Sequence, residues 1–146
     1  MDEFTIVTVI ARPPGEVFAI LVDLERMPLW QPGMTSASVN GGGPLRAGST
    51  LTYKGSFLGR RLDLPLVCTA LTQNKHFGTR TTGGPFYLEA DAVLEPAAGG
   101  TRITTAYRQE SRGFFKLAEP LVLRMSKKHW DSAGNNLRTL MEGHAI

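Results

Sequence analysis

The chain has 146 residues, 42% of them hydrophobic and 20% charged, which suits one soluble domain with its own core and leaves little for a second. Its 16 basic and 13 acidic residues give a net charge of +3, scattered along the chain rather than gathered into the stripe that nucleic-acid binding needs. The single cysteine, Cys68, excludes an internal disulfide, and no apolar run approaches the ~18 residues of a membrane span, so integral membrane association is not expected.

The first ten residues, MDEFTIVTVI, are acidic where a secretory signal would be positively charged, and with the unpaired thiol they support the expectation of a cytoplasmic protein. Residues 3–10 are rich in β-branched and aromatic types and run into Ala11-Arg12-Pro13-Pro14, which predicts a strand stopped by proline. In PPGEVFAILVDLERM the apolar residues Val17, Ile20, Leu21 and Leu24 recur at helical spacing. The prolines suit a helix entrance and Glu16 complements the positive end of the dipole, so the segment reads as a helix with one face on a core. Pro28 and Pro32 then restrict Leu29-Trp30-Gln31 to short turns, because neither proline can donate the bond a continuing helix requires.

Beyond this corner the period falls to two. TSASV predicts a short strand and NGGGPLRAG a flexible turn. STLTYKGSF alternates Leu51, Tyr53, Gly55 and Phe57 against Thr52, Lys54 and Ser56. RRLDLPLVCTALTQ places Leu62, Leu64, Leu66, Cys68 and Ala70 on one parity, with Pro65 suggesting an edge or a bulge. KHFGTRTT predicts a further strand. FYLEADAVLEP sets Phe86, Leu88, Ala90, Ala92 and Leu94 opposite Tyr87, Glu89, Asp91 and Glu95, and TRITTAYRQES sets Ile103, Thr105 and Tyr107 opposite Arg102, Thr104 and Arg108. The turn AAGG between them predicts a hairpin.

From Phe114 to Glu142 the period returns to 3.6. Trp130, Ala133, Leu137, Leu140 and Met141 form one stripe, preceded by a more continuous apolar segment through Leu117, Leu121, Leu123 and Met125. Pro120 either kinks this helix or marks its first turn, since an interior proline costs ~3 kcal/mol. Consecutive strands form an antiparallel meander whose apolar face needs a cover, and the C-terminal helix is the only element long enough. A twisted sheet of about six or seven strands curls around such a helix, and the gap between them is a natural pocket.

Four segments taken together, TVIARPPGEVFAILVDLERMPLWQPG, GGPLRAGSTLTYK, LEPAAGGTRIT and the C-terminal amphipathic helix, resemble the SRPBCC superfamily, also called START-like or Bet v 1-like, near its polyketide cyclase/dehydrase branch. The likeness runs over nearly the whole chain. It implies one α+β domain, residues 1–146, with a helix-grip fold: a seven-stranded antiparallel sheet curled around the last helix, two short helices after the first strand, and a deep hydrophobic cavity. It also implies pocket positions at Trp30, Tyr53, Phe57, Tyr87, Tyr107, Met125, His129 and Ala133. It does not choose between binding and catalysis, because one fold carries both.

The residues themselves narrow the chemistry. His76, His129 and His144 are too widely separated for a metal pair and Cys68 has no partner thiol, so neither a metal nor another cofactor is expected. No nucleophile elbow, P-loop or dinucleotide fingerprint is present, and the glycines of NGGGPLRAG serve as turn residues. A cavity enzyme acting on a carbonyl compound would need a positioned acid or base and a donor for an enolate oxygen. Tyr53, Tyr107 and His129 qualify as such groups, and Arg80 or Arg124 could hold a carboxylate. Each also has a structural reading: inward tyrosines as core residues with hydroxyls at the rim, His129 as a boundary residue, and Glu89, Asp91 and Glu110 as outward solvated charges.

Three functions follow. The leading one is binding of a lipid-like, aromatic or polyketide-like molecule in the cavity. The alternative is a cyclase or dehydratase that uses a cavity Tyr or His as acid or base. The third is an interaction module with a filled core. The expected partner is a hydrophobic small molecule and not a nucleic acid, with the oligomeric state open between monomer and dimer.

Overall fold

The computed structural model describes residues 1–146 and carries seven strands and three α-helices. Strand β1 (Asp2–Ile10) leads through Ala11 to Pro13 into α1 (Pro14–Leu21) and a 3-10 turn (Met27–Leu29). Strands β2 (Met34–Val39), β3 (Thr50–Phe57), β4 (Arg60–Thr72), β5 (His76–Thr81), β6 (Phe86–Ala97) and β7 (Gly100–Ser111) follow, then α2 (Phe114–Leu117) and α3 (Glu119–Glu142). All pairs are antiparallel in one sheet of order β1-β7-β6-β5-β4-β3-β2, so each strand from β2 to β7 lies beside its neighbour in sequence and β1 closes on β7. With α3 held against one face of this sheet, the architecture is the helix grip that the sequence implies.

Two corrections concern helices. The first ends at Leu21 instead of continuing to Met27, because Asp23 starts a turn in which its carboxylate accepts from the Arg26 backbone N–H at 3.4 Å. Leu24 and Met27 still reach the core, at 8% and 2% exposure. The apolar segment before Trp130 is not a continuous buried face. Leu117 is 89% exposed and Leu121 42%, and α3 begins at Glu119 with Pro120 in its first turn. Its buried line is Val122, Ser126, Ala133, Leu137 and Met141, an i to i+4 repeat interrupted where His129 and Trp130 stand half-buried.

Strand β4 keeps its predicted parity through Cys68 and then shifts register between Cys68 and Ala70. This bulge turns Ala70 away from the core and puts Leu71 against it. Pro65 is not the bulge: its carbonyl accepts from Thr82 N at 2.8 Å just beyond the end of β5, where the missing N–H costs one terminal ladder bond.

Seventeen buried residues form the main core, including Ile10, Val17, Phe18, Ala133, Leu137 and Met141, at the end of the sheet covered by α1 and the C-terminal half of α3. A second cluster of Phe86, Phe115 and Val122 closes the opposite end, with Phe57 and Leu62 packed against it. Arg12 locks the first end. Its Nη1 donates to the Met141 carbonyl at 2.7 Å, its Nε pairs with Glu16 at 3.0 Å, and the Ala11 N–H donates to Glu142 Oε2 at 2.9 Å. That explains the basic residue ahead of the two prolines: a guanidinium satisfies a carbonyl at the negative end of α3.

Candidate functional site

Between the two clusters the sheet and α3 do not touch throughout, and a cavity of about 180 Å³ remains. Its walls come from the inward parity of every strand except β2's interior: Ile6 and Thr8, Tyr53 and Phe57, Leu62 to Leu66, Phe77 and Thr79, Phe86 to Ala92, and Ile103 to Gln109. The roof is α3 through Ser126, His129, Trp130, Ala133, Gly134 and Leu137, and the corner from Met27 to Met34 closes one side. Tyr53, Leu88, Ala90 and Thr105 lie on the inward face yet are only half-buried, which is the mark of side chains bordering empty space.

Close backbone contacts shape this space. Gly33, at φ +75°, accepts from Ser56 N at 3.0 Å through its carbonyl oxygen, and a side chain at Gly55 would collide with that same oxygen. The corner is tied to the roof as well, since Asn136 Nδ2 donates to the Trp30 carbonyl at 3.1 Å.

Along the wall runs a chain of aromatic contacts. Phe4 stacks on Tyr107 with centroids 5.2 Å apart, Tyr107 on Trp130 at 4.9 Å, and His129 meets Trp130 edge-on at 4.5 Å. His129 also meets Phe57 edge-on at 6.0 Å, and Phe57 meets Phe86 at 5.6 Å. Such pairs add fixed geometry to apolar burial.

Six of the eight sequence-derived pocket positions line the cavity: Trp30, Tyr53, Phe57, Tyr107, His129 and Ala133. Tyr87 does not, because it lies on the outward parity of β6, where its hydroxyl donates to Glu89 Oε1 at 2.6 Å. Met125 does not either, since it sits one residue before the inward Ser126 and so off the buried line. Arg80 and Arg124 are absent from the lining. The outward face holds the expected charges: Arg108 bridges Glu3 at 3.0 Å and Glu89 at 3.1 Å, and His76 meets Asp91 at 2.9 Å.

Burial raises the pKa of Tyr53 and, partly offset by a hydrogen bond with Thr105, that of Tyr107, so both phenols stay protonated. Burial lowers that of His129 and keeps its imidazole neutral. No arginine, aspartate or glutamate lines the cavity, and the one lysine at its border, Lys54, is exposed on the polar parity of β3. No group of three His, Cys, Asp or Glu side chains is placed to hold a metal ion. Sequence reasoning missed Gln31, Thr79, Gln109 and Ser126. Two of these were detectable by spacing, since Gln109 continues the Ile103-Thr105-Tyr107 parity and Ser126 lies one turn before His129-Trp130. The indole Nε1 of Trp30 is buried without a hydrogen-bond partner in the protein.

Comparison with known proteins agrees with this fold. The family model described as Polyketide cyclase / dehydrase and lipid transport matches residues 1–142. A protein of Thermus thermophilus superposes with a TM-score of 0.84 at 18% identity, covering 99% of this chain and 100% of the other. A START superfamily protein from Mycobacterium smegmatis gives 0.68 at 17% identity over 92% and 98%. The di-domain ARO/CYC BexL of the BE-7585A biosynthetic pathway gives 0.74 at 13% identity, covering 97% of this chain and 47% of that one. No curated protein matches the sequence.

Proposed function

We propose that this chain, which belongs to the polyketide cyclase/dehydrase and lipid transport family, binds an apolar or aromatic small molecule in the cavity between its sheet and α3. The observation that carries the reading is the cavity's composition: 20 of its 33 lining residues are hydrophobic and none is an arginine or a carboxylate. Such a lining rewards removal of apolar surface from water and aims no buried charge at a reacting group. An engineered apolar cavity of ~150 Å³ accommodates benzene, so about 180 Å³ suits a body of one or two rings or a short acyl segment. Trp30, Tyr53, Phe57, Tyr107, His129 and Ala133 are the residues we assign to its walls as ligand contacts.

A second reading, proton transfer in a cyclase or dehydratase, draws support from His129, which burial keeps neutral beside the cavity and so able to accept a proton near neutral pH. No helix is long and apolar enough to cross a membrane; a cytoplasmic location is our reading of the single, unpaired, buried thiol. The test is a titration with the two-ring dye 1-naphthylamine, whose fluorescence changes in apolar surroundings. A saturable, stoichiometric change is expected; a flat titration with no displacement by other apolar molecules contradicts the reading.

A further inference from the structure

Two polar atoms without partners in the cavity wall point to the kind of molecule it accepts. Trp30 is 5% exposed, and its Nε1–H and the Oε1 of the adjacent Gln31 are both buried without a hydrogen-bond partner in the protein. Both residues line the cavity. They are the two buried side-chain polar atoms of the whole chain left in this condition, and folded proteins keep such groups rare unless something else pairs them. The surrounding backbone is satisfied: Trp30 N and Gln31 N both donate to the Met27 carbonyl, at 3.2 and 3.0 Å, and the Trp30 carbonyl accepts from Asn136. The unmet need is therefore confined to one donor and one acceptor on neighbouring side chains, held in a corner that is itself fixed to α3.

We propose that Trp30 and Gln31 clasp a hydroxyl group on an otherwise apolar ligand, a phenol or an alcohol, whose oxygen accepts from Trp30 Nε1–H and whose hydrogen is donated to Gln31 Oε1. The proposal rests on the reading of the cavity as a ligand site. A hydroxyl matches because it is donor and acceptor at one atom. A carboxylate has only acceptors and would set its charge against Gln31 Oε1, with no arginine in the lining to offset it and Lys54 turned out to solvent. An ammonium has only donors and would meet the indole N–H head-on. A ketone or ether satisfies Trp30 and leaves Gln31 as it is. Met27, Pro32, Met34 and Tyr53 supply apolar surface in the same wall for the rest of the molecule.

The test measures the affinities of 2-naphthol, 2-methoxynaphthalene and 2-methylnaphthalene by calorimetry for the native chain, Trp30→Phe and Gln31→Met. In the native chain 2-naphthol is expected to bind about tenfold more tightly than 2-methoxynaphthalene, which satisfies Trp30 alone, and 2-methoxynaphthalene more tightly than 2-methylnaphthalene, which satisfies neither atom. Gln31→Met should bring the ratio of 2-naphthol to 2-methoxynaphthalene affinity to about one, and Trp30→Phe should do the same for the ratio of 2-methoxynaphthalene to 2-methylnaphthalene affinity. Gln31→Met, at a half-exposed turn position, keeps the comparison available if the core substitution at Trp30 unfolds the domain. A preference for 2-naphthol over 2-methoxynaphthalene that is absent from the native chain, or that survives Gln31→Met, overturns the proposal while leaving the cavity reading intact. Failure of all three probes to bind the native chain overturns both.

Discussion

Ala90→Leu is the sharpest perturbation of the cavity. Ala90 sits mid-strand on β6, opposite Tyr107 on β7 and Thr79 on β5, with its methyl on the inward parity and only half-buried because it borders empty space. Leucine adds three carbons. At ~0.8 kcal/mol per buried methylene, placing them in an existing apolar void raises stability by up to about 2 kcal/mol. For a domain of this size that is roughly 3 °C of melting temperature per kcal/mol. The same carbons occupy space that a ligand would use, so dye affinity should fall by about tenfold or more, in line with at least one lost apolar contact set. Differential scanning fluorimetry and a 1-naphthylamine titration on the same samples read both effects. A loss of ~1–3 kcal/mol, the usual cost of overpacking, would show that no usable space exists there and refute the reasoning.

Three other outcomes follow from the same geometry. Trp130→Ala should destabilise by about 2–3 kcal/mol, below the ~3–5 of a fully buried aromatic, because the ring already borders the void on one side, and it should admit a bulkier dye; chemical denaturation with paired titrations checks both. Arg12→Ala should cost about 1.5–3 kcal/mol through the Met141 carbonyl it serves, with urea denaturation as the measure and an unchanged midpoint as the contrary result. His129 makes stability depend on pH. Burial lowers its folded pKa below its ordinary value of about 6.5, so between the two values the unfolded chain holds more protons, and its contribution rises with pH up to about 6.5 and is level above. His129→Leu should flatten the melting-temperature profile between pH 5 and 7 relative to the native chain, and parallel profiles would contradict the assignment.

Much of the cavity wall was legible because β-strand parity is strict. The alternation from Phe86 to Leu94 and from Ile103 to Tyr107 named the inner face residue by residue, and it had already set Tyr87 outward with Glu89; only the family likeness drew Tyr87 into the pocket. The same strictness shows why Ala70 was misplaced. One extra residue at Thr69 reverses the face of everything after it, and a bulge leaves no composition signal in CTAL. On α3, spacing located Ala133 and Leu137, but the apolar residues Leu117 and Leu121 suggested burial that the first turn at Pro120 does not provide. The unmet atoms of Trp30 and Gln31 were beyond sequence reasoning, since whether a polar atom finds a partner depends on the three-dimensional approach of α3 and β3 to the corner.

The central claim, that the space between sheet and α3 receives an apolar molecule, is tested most directly by a crystal structure grown with 2-bromonaphthalene and read by the anomalous signal of its bromine. One strong peak bounded by Tyr53, Ala90, Tyr107 and Trp130, with the protein backbone unmoved, is the expected result. Bromine bound only on the outer surface, with these side chains closed onto one another, would contradict it.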